Sequence, residues 1–288
     1  MKFTKMHGAS NDYVYVNCIG YSINDPAKTA IAISDRHMGI GSDGLIMILP
    51  SDKADFRMKM FNADGSEGSM CGNGIRCVGK YVYDNRLTDK KNLDIETKSG
   101  IKHLKLFVNK DLVSDVEVDM GEAYIKPEEI PMIAKGDSFI NRPLKVGRNE
   151  YDVTCLSVGN PHCVVFMNNE KNMKNLKKDL GDLDLDKLGP AFESHKLFPD
   201  KINTEFVEVI DRNTLKMRVY ERGSKETMAC GTGTCAVAVA AVLNGICVKG
   251  ETVRVIVRGG VIEITYREDG HILMKGNAVK VFDGEIDI

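Results

Sequence analysis

Phe61-Asn62-Ala63-Asp64-Gly65-Ser66-Glu67-Gly68-Ser69-Met70-Cys71-Gly72-Asn73-Gly74 can be laid over Tyr220-Glu221-Arg222-Gly223-Ser224-Lys225-Glu226-Thr227-Met228-Ala229-Cys230-Gly231-Thr232-Gly233. Each stretch closes a strand on an aromatic and a polar residue, turns near Gly-Ser, and reaches Cys-Gly-x-Gly where a helix should begin. The copies lie about half a chain length apart. A looser match sets Gly8–Val14 over Ser157–Cys163, each with an Asn (Asn11, Asn160) just ahead of a strand. A repeat of this period predicts two similar domains, each supplying half of one site.

The rest of the sequence is compatible with that frame. The 288 residues are 43% apolar and 28% charged, as in a folded globular protein. A net charge of -2 gives no electrostatic reason to expect nucleic acid or an anionic membrane as partner. The longest apolar run, 236–243, falls far short of the ~20 residues that span a bilayer. The start, MKFTKMHGAS, carries no apolar signal segment, so the cytoplasm is the expected location. Eight cysteines are there expected as free thiols. None shows C-x-x-C spacing, which argues against a metal or thioredoxin-type site. Cys18, Cys77, Cys155, Cys163, Cys235 and Cys247 lie in apolar runs and read as small packing residues.

Short β-branched runs predict strands at 13–16, 94–97, 104–108, 113–119, 163–167, 205–210, 215–220, 253–257 and 261–266. Helices are expected at 26–36, behind an Asp25 cap with Pro26 in its first turn, and at 72–83 and 231–243. A further, lysine-rich helix is expected at 171–180. The stretch 181–199 reads as a loop with at most a short helix.

A cysteine at a helix start meets N–H groups that have no intrahelical partner and carry the positive end of the helix dipole. Its thiol can be driven below the ordinary ~8.5 by that field. The bare N–H groups of the following Gly72, Asn73, Gly231 and Thr232 can hold a carboxylate. Two such cysteines, Cys71 and Cys230, could flank one carbon, a thiolate taking its proton and the opposite thiol returning one. Charge spreading into an α-carboxylate would be stabilised by those four N–H groups, with no cofactor and no metal.

The combination resembles the diaminopimelate epimerase family. The residues that carry it run the length of the chain: Lys5-Met6-His7-Gly8 with Asn11-Asp12, Phe61 to Ser66, Met70 to Cys77, Gly159-Asn160-Pro161-His162, Asn203-Thr204-Glu205-Phe206, Tyr220 to Gly223 and Ala229 to Gly233. The resemblance implies a cofactor-independent epimerase acting between LL- and meso-diaminopimelate on the route to lysine and peptidoglycan. It implies an α/β (α+β) fold of two pseudosymmetric domains, each a curved mixed sheet around a central helix. Residues 1–120, with 275–288 returning to them, would form one domain and 121–274 the other. It implies Cys71 and Cys230 as acid and base, with His162 and Glu221 tuning them. Asn11, Asn62, Asn160, Asn203, Glu221 and Arg222 would hold the substrate, chiefly its distal amino-acid end. Arg222 suits a carboxylate and Glu221 an ammonium. A homodimer is also implied. Gly44 stands where some relatives carry a substrate-contacting Gln, so no binding role is expected there.

Three other readings stay open on sequence alone. One is a two-cysteine racemase for proline, hydroxyproline or histidine, against which the second charged clamp speaks. Another is a thiol redox protein, and the third a non-catalytic binding module.

Overall fold

The structure, a computed structural model, describes residues 1–287. The chain divides into two compact units: residues 1–119 with the described residues from 275 onward, and residues 120–274.

The first unit opens with β1 (Lys2–Gly8), β2 (Asn11–Asn17), α1 (Pro26–Ser34), β3 (Gly44–Leu49), β4 (Phe56–Asn62) and the short β5 (Glu67–Gly68). It continues with α2 (Gly72–Asp84), β6 (Asn92–Thr97), β7 (Gly100–Asn109) and β8 (Leu112–Glu122). The second unit holds β9 (Phe139–Val146), β10 (Asn149–Ser157), β11 (Pro161–Phe166), α3 (Glu170–Leu176) and α4 (Leu185–Glu193). After these come β12 (Asn203–Asp211), β13 (Thr214–Glu221), β14 (Lys225–Glu226), α5 (Gly231–Leu243), β15 (Thr252–Val257), β16 (Gly260–Tyr266) and β17 (His271–Asn277). Finally β18 (Val279–Glu285) pairs antiparallel with β1.

The repeat read in the sequence is a repeat of pairing. β1 runs antiparallel to β2, β2 parallel to β3, β3 antiparallel to β4, β4 parallel to β6, and β6 antiparallel to β7. In the second unit β10–β11, β11–β12, β12–β13, β13–β15 and β15–β16 alternate in the same way. Parallel neighbours cannot be joined by a tight turn, so each parallel step needs a crossover. The helices supply it: α1 and α2 in the first unit, α3–α4 and α5 in the second.

α5 is the central helix of its unit, packed by β10, β11, β12, β13, β15 and β16. Its sequence, Gly-Thr-Gly-Thr-Cys-Ala-Val-Ala-Val-Ala-Ala-Val-Leu, is apolar all round, as a helix enclosed by sheet must be. α2 packs on β1, β2 and β7 and is nearly as buried, but it carries Lys80, whose ammonium reaches Asp84 and the Val113 carbonyl. Outside each sheet lies a second core layer. Ala30 and Ile33 of α1 join Val14, Val16, Leu45 and Phe61 in one unit. Leu185 and Phe192 of α4 join Tyr151, Phe206 and Tyr220 in the other.

The strands expected from β-branched runs are all present. Lys2–Gly8, Gly44–Leu49 and Val279–Glu285 add strands at stretches not singled out in the sequence. Two helical expectations need correction. The lysine-rich helix ends at Leu176, because Lys177 takes a left-handed conformation and turns the chain. The stretch expected to be a loop with at most a short helix carries the nine-residue α4. Asp184 caps it by accepting from the Lys187 N–H, and Gly189 lets it press onto the Tyr220 ring. Gly189 and Pro190 look like breakers in the sequence, yet the first permits the close approach and the second is tolerated.

Candidate active site

Cys71 and Cys230 occupy the same position in their units. Each caps its helix, α2 or α5, in an extended conformation. The Gly74 N–H donates to the Cys71 sulfur at 3.3 Å, and the Gly233 N–H to the Cys230 sulfur at 3.4 Å. The N–H groups of Gly72, Asn73, Gly231 and Thr232 lie in these first turns, where no preceding helical carbonyl accepts from them. Asn73 is buried, and its side-chain oxygen has no hydrogen-bond partner among the described residues.

The surroundings of the two sulfurs differ. Cys71 donates to the Asn11 side-chain oxygen at 3.1 Å, and the Asn11 amide nitrogen donates to Asp43 at 2.7 Å. Asp43 also receives the Asp12 N–H and the Arg36 guanidinium. Cys230 has the Thr232 hydroxyl at 3.4 Å instead. Burial pushes both thiols up. At Cys71 the N–H groups of Gly74 and Asn73 and the Arg76 guanidinium oppose that rise. At Cys230 the Glu221 carboxylate adds to it, and its thiol lies well above the ordinary range. The lowering expected from the helix field alone is thus corrected: the field is present, but desolvation outweighs it.

The remaining singled-out residues are placed as follows. Asn62 ends β4 and bonds the Ser66 hydroxyl at 2.9 Å. Asn203 opens β12, accepts the Arg222 N–H at 2.8 Å and donates to the Pro161 carbonyl at 2.9 Å. Glu221 ends β13 and accepts from the Thr227 hydroxyl, while Arg222 reaches the Asp200 carbonyl at 3.0 Å. Asn203, Glu221 and Arg222 therefore converge on the turn between β13 and β14. His162 is wholly buried, with Nδ1 2.7 Å from Glu205 and Nε2 3.0 Å from the Asn160 oxygen. Gly44 opens β3 opposite Asn62, where an added Cβ would fall on the Phe61 carbonyl, which explains its identity without a ligand.

Two carboxyls at these sites were given no role from sequence, Asp43 and Glu205. Their signal is faint. Asp43 lies in a polar turn that could be mere punctuation. Glu205 is two residues beyond Asn203 in one strand, hence on the same face, but it is followed at Glu208 by a second glutamate that gives it no distinction. Among the described residues, no group of three or more His, Cys, Asp and Glu is placed to hold a metal ion.

The diaminopimelate epimerase family model matches residues 3–126 and 154–281. A diaminopimelate epimerase of Agathobacter rectalis is 54% identical over the full length of both chains. One of Acetivibrio thermocellus is 52% identical, over 100% of this chain and 99% of its own. Among solved structures, a phenazine biosynthesis protein of the PhzF family from Bacillus anthracis superposes with a TM-score of 0.69 at 19% identity, covering 100% of this chain and 99% of its own. A hydroxyproline epimerase from Agrobacterium vitis does so with a TM-score of 0.67 at 12% identity, covering 99% and 91%. These last two likenesses concern the fold alone.

Proposed function

Because the chain belongs to the diaminopimelate epimerase family, and epimerises diaminopimelate as that family does, we propose that it works with two bases, Cys71 and Cys230, acting on opposite faces of one α-carbon. The observation that carries this reading is the matched pair of caps: two cysteines, each bonded through sulfur to the N–H three residues on, each opening the inner helix of a repeated unit. A lone nucleophile would need no such duplicate.

One thiolate takes the α-proton. The electron pair left on carbon spreads into the carboxylate, which the N–H groups of Gly72, Asn73, Gly231 and Thr232 hold. The opposite thiol delivers its proton to the other face and becomes the thiolate, so protons and charge balance and the centre is inverted. Cys71 ionises first in the resting pair, because the N–H groups of Gly74 and Asn73 and the Arg76 guanidinium oppose the burial of its thiol, whereas the Glu221 carboxylate reinforces that of Cys230. Arg222 and Glu221 hold the distal carboxylate and ammonium, with Asn11, Asn62, Asn160 and Asn203 as neutral partners. His162 acts through Asn160.

The same reading takes LL-diaminopimelate to the meso isomer for lysine and cell-wall synthesis, in the cytoplasm, where eight free cysteines persist reduced. The homodimer implied by the resemblance belongs to it, and sedimentation tests that point. The deciding experiment incubates reduced protein with LL-diaminopimelate in D₂O and follows the α-proton by NMR, with lysine, proline and histidine as controls. Deuterium entering the α-position with meso product, for diaminopimelate alone, is the expected result. Exchange with proline or histidine instead would overturn the substrate, and product formed without solvent deuterium would overturn the two-base step.

A further inference from the structure

Glu205 is a buried carboxyl to which the mechanism above gives no task. It lies on β12, 0% exposed, with Oε1 2.7 Å from Nδ1 of an equally buried His162. Its other oxygen, Oε2, has no hydrogen-bond partner among the described residues. A carboxyl in such a place is costly, and an apolar residue of the same length would fill the space without that cost. It also abuts the start of α5. A Cβ added to Gly233 would stand 2.8 Å from Glu205 Oε1 and 3.3 Å from the Cys230 sulfur, so only glycine leaves room there.

We propose that Glu205 is a positioning residue for the reaction: through His162 it decides which half of the Asn160 side-chain amide is left for the substrate. The inference rests on the function proposed above. The Asn160 oxygen, 3.0 Å from His162 Nε2, can only accept, so Nε2 must carry a hydrogen. Glu205 is the group that faces Nδ1, at 2.7 Å, and with a hydrogen on Nε2 this buried pair is uncharged overall only when one further proton lies between them. Glu205 therefore keeps a proton shared between Oε1 and Nδ1, and burial favours this by pushing its carboxyl up while His162 opposes. The other titratable groups facing the pair are Glu221, Cys163 and Cys230.

Without a donor at Nδ1, the ring is free to move its hydrogen there and present Nε2 as an acceptor, and the Asn160 amide turns over to donate to it. With Glu205 in place, the Asn160 oxygen is committed to His162 and the NH₂ remains to donate to a substrate carboxylate. Asn11, its counterpart in the first unit, has the opposite polarity: Asp43 takes its NH₂, and its oxygen faces Cys71.

The test compares wild type, Glu205→Gln and Glu205→Met. A Gln amide can still donate to Nδ1, while Met fills the space and donates nothing. Two-bond ¹H–¹⁵N spectra of histidine-labelled protein report the His162 tautomer, and kcat and KM are measured with diaminopimelate. Wild type and Glu205→Gln are expected to show the Nε2–H form with similar KM. Glu205→Met is expected to lose that form and to lose ~10–100-fold in kcat/KM, mostly through KM, as losses of supporting hydrogen bonds commonly do. Equal losses in both variants, or a wild-type His162 with its hydrogen on Nδ1 alone, would overturn the proposal. Should Glu205→Met fail to fold, the tautomers of wild type and Glu205→Gln still decide. If wild type leaves diaminopimelate unchanged, the proposed function fails, and the spectra still judge the role of Glu205.

Discussion

The Cys71 thiol donates to the Asn11 side-chain oxygen at 3.1 Å, and the direction of that bond is set from behind. Asp43, a pure acceptor when ionised, takes the Asn11 NH₂ at 2.7 Å and so turns the amide oxygen to the sulfur. A thiol held by an acceptor is in its protonated form. Forming the thiolate breaks this bond and leaves the sulfur with the Gly74 N–H.

Loosening Asn11 should therefore show in catalysis. Asp43→Ala removes the acceptor, lets the amide rotate, and should lower kcat/KM by ~10–100-fold, the usual worth of a hydrogen bond to a charged group. Steady-state kinetics with diaminopimelate check this. Asp43→Asn, which can still accept from Asn11, should lose less.

Replacing either cysteine by serine removes a base of suitable acidity. Cys71→Ser and Cys230→Ser should each lower the epimerisation rate by ~10²–10⁴-fold, the usual contribution of a positioned acid or base. Chiral chromatography of the product measures it, with circular dichroism confirming the fold.

Both thiols lie above their ordinary range, so at neutral pH each is mostly protonated. A raised pKa means that the thiolate fraction grows as pH rises toward it. The limb of kcat/KM that reports thiolate formation should thus ascend through neutral into alkaline pH, and descend only where the second thiol ionises. Cys71 is half-buried and Cys230 buried. Iodoacetamide should label Cys71 first, as peptide mapping across a pH series would show. Faster labelling of Cys230 would reverse the assignment of the first thiolate.

Arg222→Met should remove the partner of the distal carboxylate and cut kcat/KM for diaminopimelate by about 10²-fold or more, since a site built for a charged group binds poorly once it is unpaired. The measurement is a rate comparison with and without added guanidinium, which should restore part of the loss.

Stability offers an independent check of the packing of α4. Gly189→Ala would place a Cβ 2.2 Å from the Tyr220 ring and should destabilise the protein by ~1–3 kcal/mol through overpacking. Urea titration measures it.

Much of this protein was determined by its sequence alone, for a local reason. A cap and the first turn of a helix are built from adjacent residues, so Cys71-Gly72-Asn73-Gly74 and Cys230-Gly231-Thr232-Gly233 announce two helix starts wherever the rest of the chain goes. The repeat extends that local reading to the fold, because two copies of one strand–turn–helix unit predict two copies of one pairing order. What only tertiary structure decided involves residues far apart in the chain. Glu205 meets His162 because β11 and β12 lie side by side, and Asp43 meets Asn11 because β2 and β3 do. α4 was obscured because Gly189 and Pro190 look like breakers until Tyr220 is seen beneath them. The acidity of the cysteines was decided there too. The helix field that lowers it is written in the local sequence, whereas the desolvation that outweighs it depends on everything folded around the sulfur.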